Sequence, residues 1–189
     1  MRKRLLSVML AFVLVSVLTL AGCGESETES LSDVLALDAL ETVWNSYGED
    51  ESFPVSGGDI DNTVMDAPGK FSVASGDAVD ASLGYPADKI GDIDDAASLI
   101  HMMNANTFTA AAFRLSEGTD TKDAAKAIED NLDGRQWMCG FPDKLAIVKV
   151  GQRTIISVFG NEELVDTFIE KAQVSYEKAE ILTDKSLSF

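Results

Sequence analysis

The sequence is poor in the residues from which most catalytic centres are built. Its 189 residues include one histidine, His101, and two cysteines, Cys23 and Cys139. No segment matches a nucleophile elbow, a zinc-protease helix, a phosphate-binding loop or a dinucleotide-binding fingerprint. A single histidine without a carboxylate or cysteine at ligand spacing is more often structural than a base or a metal ligand. We therefore name no catalytic residue, no metal site and no cofactor.

Basic residues are also scarce. The chain has 15 Lys and Arg against 32 Asp and Glu, a net charge of −17. Three of those bases lie before residue 23, so the 12 remaining bases and 32 acids give the rest of the chain a charge of −20. Phosphate groups and anionic lipid surfaces are bound mainly by Lys and Arg. This balance excludes nucleic acid as a partner and argues against a basic membrane-docking patch.

The abundant acids do not form a recognisable site. The segments that begin at Asp59 and Asp92 start like calcium-binding loops, but Val64 and Ala97 replace the required turn glycine. We expect helix caps and solvated loops there. The carboxylate pair of a glycosidase depends on a separation that only the fold determines. A hydrolase that uses acidic residues therefore stays open as an alternative.

The first 22 residues have the layout of an export signal. Met1–Arg4 carries three positive charges, and an uncharged, mainly apolar run of 16 residues follows. This run is short for a membrane span, which needs roughly 20 residues. Leu20-Ala21-Gly22-Cys23 then resembles the lipobox of bacterial lipoproteins. An ordinary signal peptide or an uncleaved helix with a chance cysteine is the alternative.

The lipobox resemblance implies how the protein is held. Residues 1–22 would be removed, and the sulfur of Cys23 would carry a diacylglyceryl group. Two acyl chains give durable membrane attachment, whereas one is marginal. We expect the mature protein on the extracytoplasmic face of the cell membrane, with membrane lipid contacted through acylated Cys23.

Removal of the signal leaves 167 of the 189 residues, which suits one domain of ordinary size. Residues 23–32 begin with the lipidated cysteine and then alternate Glu with Ser and Thr, which predicts a disordered acidic tether. We predict a single α+β domain over residues 33–177. Residues 178–189 are left as an undetermined C-terminal tail.

Hydrophobic spacing and capping residues predict the elements of this domain. Residues 59–98 are mostly undetermined, apart from a short helix over Asp77–Leu83. The other predicted elements are a helix Ser32–Tyr47, strands Leu99–Met103 and Thr107–Leu115, a helix capped by Asp120, a hairpin Leu145–Val150 with Arg153–Phe159, and a helix from Asn161 to Tyr176. Together these elements predict an α+β fold with an antiparallel sheet of about four strands. After an N-terminal helix, the chain order is strand-strand-helix-strand-strand-helix. The C-terminal helices are expected to pack on one face of the sheet.

The hairpin makes a prediction about the faces of the sheet. A two-residue turn at Gly151-Gln152 would place Val148 opposite Ile155 and Ile147 opposite Ile156. Neither face of this hairpin is then polar, whereas a sheet covered on one side alternates apolar and polar residues. We expect the Ser32–Tyr47 helix, another loop or a partner to cover the second face. A few tolerated surface apolar residues are the alternative.

Cys139 is predicted to be a core residue. It has no disulfide partner in the chain if Cys23 carries lipid, and it is flanked by Trp137, Met138 and Phe141. The apolar stripe of the Asp120 helix reaches Cys139 if the helix continues past Gly134. A thiol among large apolar residues is more often packed than reactive.

Three segments between residues 99 and 172 resemble a known family. They are His101–Asn106 leading into Thr109–Phe113, Arg135–Trp137 with Phe141–Asp143, and Val148–Phe159. The family they resemble consists of uncharacterised lipoproteins of Clostridia-like bacteria, classed as a domain of unknown function. Some members carry a label that links them to bacteriocin transport. The resemblance implies a lipoprotein of unknown role and supplies no active residues.

We therefore expect a lipid-anchored binding or accessory protein that is not an enzyme. A peptide, an envelope polymer or a membrane protein is the expected partner, because 167 residues are few for a two-lobed solute-binding protein. A small cell-envelope hydrolase and a structural spacer are the alternatives. A concave pocket with two converging carboxylates would favour the hydrolase, and a flat apolar face would favour the binding protein.

Overall fold

The computed structural model describes residues 33–188, which belong to one compact unit. The predicted signal, Cys23 and the tether lie outside the described residues. The helices are α1 Ala36–Trp44, α2 Gly76–Leu83, a 3-10 helix Ala87–Asp92, α3 Thr121–Asp133 and α4 Glu162–Ser175. The strands are β1 Val55–Gly57, β2 Val64–Met65, β3 Gly69–Phe71, β4 Ile93–His101, β5 Phe108–Leu115, β6 Lys144–Lys149, β7 Thr154–Gly160 and β8 Glu180–Ser186.

The eight described strands form one antiparallel sheet in the order β2-β1-β4-β5-β7-β6-β8. Strand β3 also pairs with β4, on the edge that β1 uses. The chain leaves this edge after β1 and returns at β3, so residues 58–68 form a loop with a narrow base. A Cβ atom on Gly57 would lie 2.2 Å from the main-chain N of Gly69. The two ends of this loop can therefore approach each other this closely only if residue 57 is glycine.

Helices cover both faces of the sheet. Helices α1 and α4 pack on the face that carries Val148 and Ile156. Helices α2 and α3 pack on the other face, which carries Ile147 and Ile155. Every residue of β7 is buried, as expected for a central strand between two apolar layers. Of the three covers that were expected for a second apolar face, the N-terminal helix is present, and it shares that face with α4.

The predicted sheet was wrong in size and in how its helices are placed. The chain is α+β, but the described sheet has eight strands rather than about four. The two C-terminal helices lie on opposite faces and not on one. Strands β1, β2 and β3 have three, two and three residues, too few to show alternation. Strand β8 lies in the segment that was left undetermined, and charged residues interrupt its pattern.

The hairpin turn is one residue longer than predicted. Val148 pairs with Ile156 rather than with Ile155, and Ile147 pairs with Ser157. The main-chain N of Val150 donates to the carbonyl of Thr154 at 3.0 Å, which closes a three-residue turn. Arg153, the extra residue of the turn, is not paired with β6. Its guanidinium donates to the carbonyl of Leu115 at 2.7 Å.

The predicted burial of Cys139 was wrong. Helix α3 ends at Asp133, with Gly134 as its C-cap, and Cys139 is exposed in the loop that follows. The strand predicted over Leu99–Met103 instead occupies Ile93–His101. The caps of the later helices are confirmed, because the Asp120 and Asn161 side chains accept hydrogen bonds from the first turns of α3 and α4.

Candidate functional site

The described chain begins at one end of the sheet, in a cluster of charged residues. Asp33 forms an ion pair with Arg153 at 3.1 Å, and Asp94 forms one with Arg114 at 2.7 Å. This end is formed by the start of β4, the end of β5 and the start of β7, where Arg114 pairs with Thr154. We call it the entry end.

Exposed apolar side chains gather at the opposite end of the sheet, beyond the pairing of Phe108 with Gly160. Met103, Met138 and Phe141 are 84%, 81% and 63% exposed, and Met102 is also exposed. They lie on two loops, residues 102–107 and 134–143. Single exposed apolar residues are common, but several on two adjoining loops are a candidate interaction surface. We call these four residues the methionine end.

Two asparagines hold the loops of the methionine end together. The Nδ2 of Asn106 donates to the carbonyls of Met138 and Gly140, at 3.0 and 2.8 Å. The Nδ2 of Asn104 donates to the carbonyl of Cys139 at 2.7 Å. Cys139 has a φ of 63°, which is uncommon for a residue other than glycine. These contacts explain why the loop stands away from the core instead of continuing α3.

Acidic side chains border the methionine end on one side. Asp143, Glu162 and Glu163 are exposed, and we call them the acidic border. They adjoin the two loops, because the main-chain N of Asn161 donates to the carbonyl of Thr107 and its Nδ2 donates to Asp143.

The basic residues on or beside these loops are already engaged. Lys144 contacts Asp166 at 2.6 Å and Asp184 at 2.8 Å, and these hydrogen bonds raise the pKa of Lys144 to about 12. Arg135 contacts Asp80 at 2.9 Å. The surroundings of the methionine end are therefore strongly acidic.

An aromatic pocket of about 380 Å³ lies beside Met102. It is lined by Trp44, Ser52, Phe53, Pro54 and Asp66. Its connection to the methionine end is direct, because the main-chain N of Met102 donates to the carbonyl of Pro54 at 3.1 Å. Aromatic faces with a carboxylate beside them suit the binding of an organic cation. We call it the aromatic pocket.

A larger cleft of about 690 Å³ lies between α1 and the β2–β3 segment. Glu41, Asp59, Asp94 and Asp95 are among its lining residues. Asp94 is paired with Arg114, and Asp95 accepts a hydrogen bond from the main-chain N of α1. Hydrogen bonds from Ser72, Asn62 and Asp61 lower the pKa of Asp59. These hydrogen bonds favour the ionised form of Asp59, whereas a general acid needs the opposite shift.

The structure accounts for the other residues that the sequence singled out. The Nδ1 of His101 accepts a hydrogen bond from the main-chain N of Met103 at 3.1 Å, and its ring stacks on Phe53. The carboxylate of Asp59 caps its own loop by accepting from the main-chain N of Asp61 and Asn62. Among residues 33–188, no three His, Cys, Asp or Glu side chains are grouped to hold a metal ion. The lipidation residue Cys23 lies outside the described residues.

The sequence did not predict the methionine end. Met102 and Met103 were assigned to a strand, and Cys139, next to Met138, was assigned to the core. The loops that carry them are 32 to 35 residues apart at their hydrogen-bonded contacts. The one usable sign was the presence of large apolar residues in segments without helical or strand periodicity.

Comparisons of the chain with protein-family models, with curated proteins and with solved structures returned no significant match. The resemblance to Clostridia-like lipoproteins therefore stays a prediction. Within the described part of the chain, each helix is too short or too polar to cross a lipid bilayer.

Proposed function

We propose that this chain is a lipid-anchored extracytoplasmic binding or accessory protein that engages a partner protein through the methionine end. One observation carries the proposal: the methionine end and the entry end lie at opposite ends of the sheet. Strand β5 alone separates them by roughly 25 Å at 3.3 Å per residue. An anchor before Asp33 would leave the methionine end directed away from the point of attachment.

The residue types at the methionine end favour a protein partner. Methionine and phenylalanine are enriched at protein interfaces, and methionine adapts to irregular surfaces. The four side chains are exposed on two loops, whereas a small-molecule site buries most of its ligand in a concave cavity. Of the alternatives, a hydrolase lacks support in the carboxylates of the larger cleft, and a spacer gives no reason for exposed apolar residues.

The anchoring part of the proposal is tested by thiol labelling of intact cells. A membrane-impermeant maleimide should label exposed Cys139 without lysis. The Cys139→Ser variant should not be labelled at all, because an acylated Cys23 has no free thiol. Labelling that requires lysis would refute the extracytoplasmic location. Labelling of the Cys139→Ser variant after denaturation would refute lipidation of Cys23.

The binding part is tested by a photo-crosslinking amino acid placed at Met103 in cells. Glu117 is the matched control position, because it is also exposed but follows β5 at the entry end. Position 103 should yield one major crosslinked protein that position 117 does not yield. Phe141→Asp should reduce this product without changing the amount of folded protein. Equal products from both positions would refute a docking role for the methionine end.

A further inference from the structure

We infer that the methionine end binds a cationic amphipathic segment of a protein or peptide. This inference rests on the proposed function and names the chemistry of the partner. The apolar side of such a segment would cover Met102, Met103, Met138 and Phe141, and its Lys or Arg side chains would reach the acidic border and the aromatic pocket.

The apolar part of the argument is the degree of exposure. Met103 and Met138 each leave more than four-fifths of their surface in water, and they project from loops 32 to 35 residues apart in sequence. The asparagine hydrogen bonds fix those loops before any partner arrives. A preformed surface of flexible methionine side chains can repack around different apolar residues, as promiscuous helix-binding surfaces do.

The charge of the surroundings selects the sign of the partner. Asp143, Glu162 and Glu163 are exposed beside the loops, while Lys144 and Arg135 are committed to other carboxylates. An acidic partner would meet uncompensated carboxylates. A basic partner would find opposite charges at the rim of an apolar surface, which speeds association and fixes orientation.

The aromatic pocket adds a place for one basic side chain. It joins the methionine end through the hydrogen bond between Met102 and Pro54, and it combines the rings of Trp44 and Phe53 with the carboxylate of Asp66. A Lys or Arg head group over an aromatic face and beside a carboxylate gains from both contacts. No base lines this pocket.

The same charges argue against a lipid surface as the occupant. The chain from residue 23 onward carries a net charge of −20. Anionic headgroups repel such a protein. The methionine end also lies at the opposite end of the sheet from Asp33, where the preceding chain is attached.

The test uses the full mature chain in nanodiscs of phosphatidylcholine, with empty nanodiscs as the blank. The probe is a fluorescent 18-residue peptide with Leu on one helical face and Lys on the other. One control peptide has Glu in place of every Lys, and a second has Ser in place of every Leu. We expect saturable binding of the Leu/Lys peptide and at least about tenfold weaker binding of both controls.

Variants locate the binding on the protein. Replacing Met103 and Met138 together with Ser should weaken binding about tenfold, because both side chains are exposed and support no core packing. Glu162→Gln with Glu163→Gln, and separately Asp66→Asn, should each weaken it about threefold. Asparagine tolerates the left-handed φ of 59° at Asp66. Glu117→Gln at the entry end is the control and should change nothing.

The outcomes separate this inference from the proposed function. Binding no greater than to empty nanodiscs, or equal binding of the Leu/Glu peptide, would overturn the cationic partner. If crosslinking from Met103 still captures a partner protein in that case, only the inference falls. If position 103 also gives no specific crosslink, the docking role falls with it. If the replacement of Met103 and Met138 leaves the affinity for the Leu/Lys peptide unchanged, the peptide binds elsewhere on the chain and the inference is wrong.

Discussion

Asp95 on strand β4 caps helix α1: its Oδ2 accepts a hydrogen bond from the main-chain N of Ala36 at 3.0 Å. The residue at the N-cap position itself, Leu35, makes no side-chain cap. A helix leaves its first amide groups without partners, and here the sheet supplies the acceptor. The start of α1 is therefore defined by the strand on which the helix packs.

Replacing Asp95 should destabilise the domain through α1. We expect Asp95→Ala to lower the free energy of unfolding by about 1 kcal/mol, the typical cost of losing a helix cap. Asp38→Ala, in the first turn of the same helix, is the control and should cost only a few tenths of a kcal/mol. Urea unfolding followed by circular dichroism measures both. Equal losses would show that charge near the helix terminus, and not the hydrogen bond, is what matters.

Gly57 should not tolerate a side chain. A Cβ atom there would meet main-chain atoms of Pro68 and Gly69, which cannot move without opening the base of the 58–68 loop. We expect Gly57→Ala to destabilise the domain by at least about 2 kcal/mol, as overpacking against backbone does. The control is Gly91→Ala, where a Cβ atom meets nothing within 4 Å. A similar thermal midpoint for the two variants would contradict the close approach of β1 and β3.

The ion pairs of Lys144 should make stability depend on pH at the alkaline end. Hydrogen bonds from Lys144 to Asp166 and Asp184 raise its pKa from 10.5 to about 12. Because the folded pKa lies above the unfolded one, the contribution is complete below pH 10.5 and is lost as pH rises through 12. We expect Lys144→Met to cost about 1 kcal/mol at pH 8.

The difference between wild type and Lys144→Met should shrink as the pH approaches 12. Urea unfolding at pH 8, 10 and 11.5 measures it. The double variant Asp166→Asn with Asp184→Asn removes both negative charges that face Lys144 and should show a similar loss at pH 8. A difference between wild type and Lys144→Met that does not change with pH would mean that packing, and not charge, is responsible.

Asn106 should control the order of the methionine end. Its side chain donates two hydrogen bonds to the 138–140 loop. We expect Asn106→Ala to cost about 1–2 kcal/mol and to accelerate hydrogen exchange in residues 138–141. Asn106→Asp keeps the shape of the side chain but cannot donate these hydrogen bonds. It should therefore lower stability and accelerate hydrogen exchange at least as much as Asn106→Ala. Unchanged exchange in either variant would show that the loop is held by other contacts.

Elements with local signals were predictable from the sequence. Helices α3 and α4 begin where Asp120 and Asn161 can cap them, and β5 coincides with a clear apolar run. These features depend on neighbours within a few residues along the chain. The first residue of α1 was not predictable in this way, because its cap lies 59 residues away. The predicted start near Ser32 used the capping residues that were close in sequence.

Elements that depend on distant partners could not be predicted. Strand β8 contains Glu180, Asp184 and Lys185, and it is held at the sheet edge partly by the 2.7 Å contact of Lys185 with Asp133. Cys139 was predicted to be buried because its neighbours in sequence are apolar. Asparagines on another loop instead hold it at the surface. The methionine end needs that same loop pairing, so the sequence pattern alone could not bring its residues together.

The position of α1 has a consequence for the order in which the chain can fold. Its buried residues pack with Val158 of β7 and Phe168 of α4, and Thr154 donates to the carbonyl of Val34 across 120 residues of sequence. During synthesis, α1 leaves the ribosome long before these partners exist. Strands β4 and β5 can cover part of its apolar face earlier, but the cover is complete only after β7 and α4 have been made. The first helix of the described domain therefore completes its packing only after the last helix has been made.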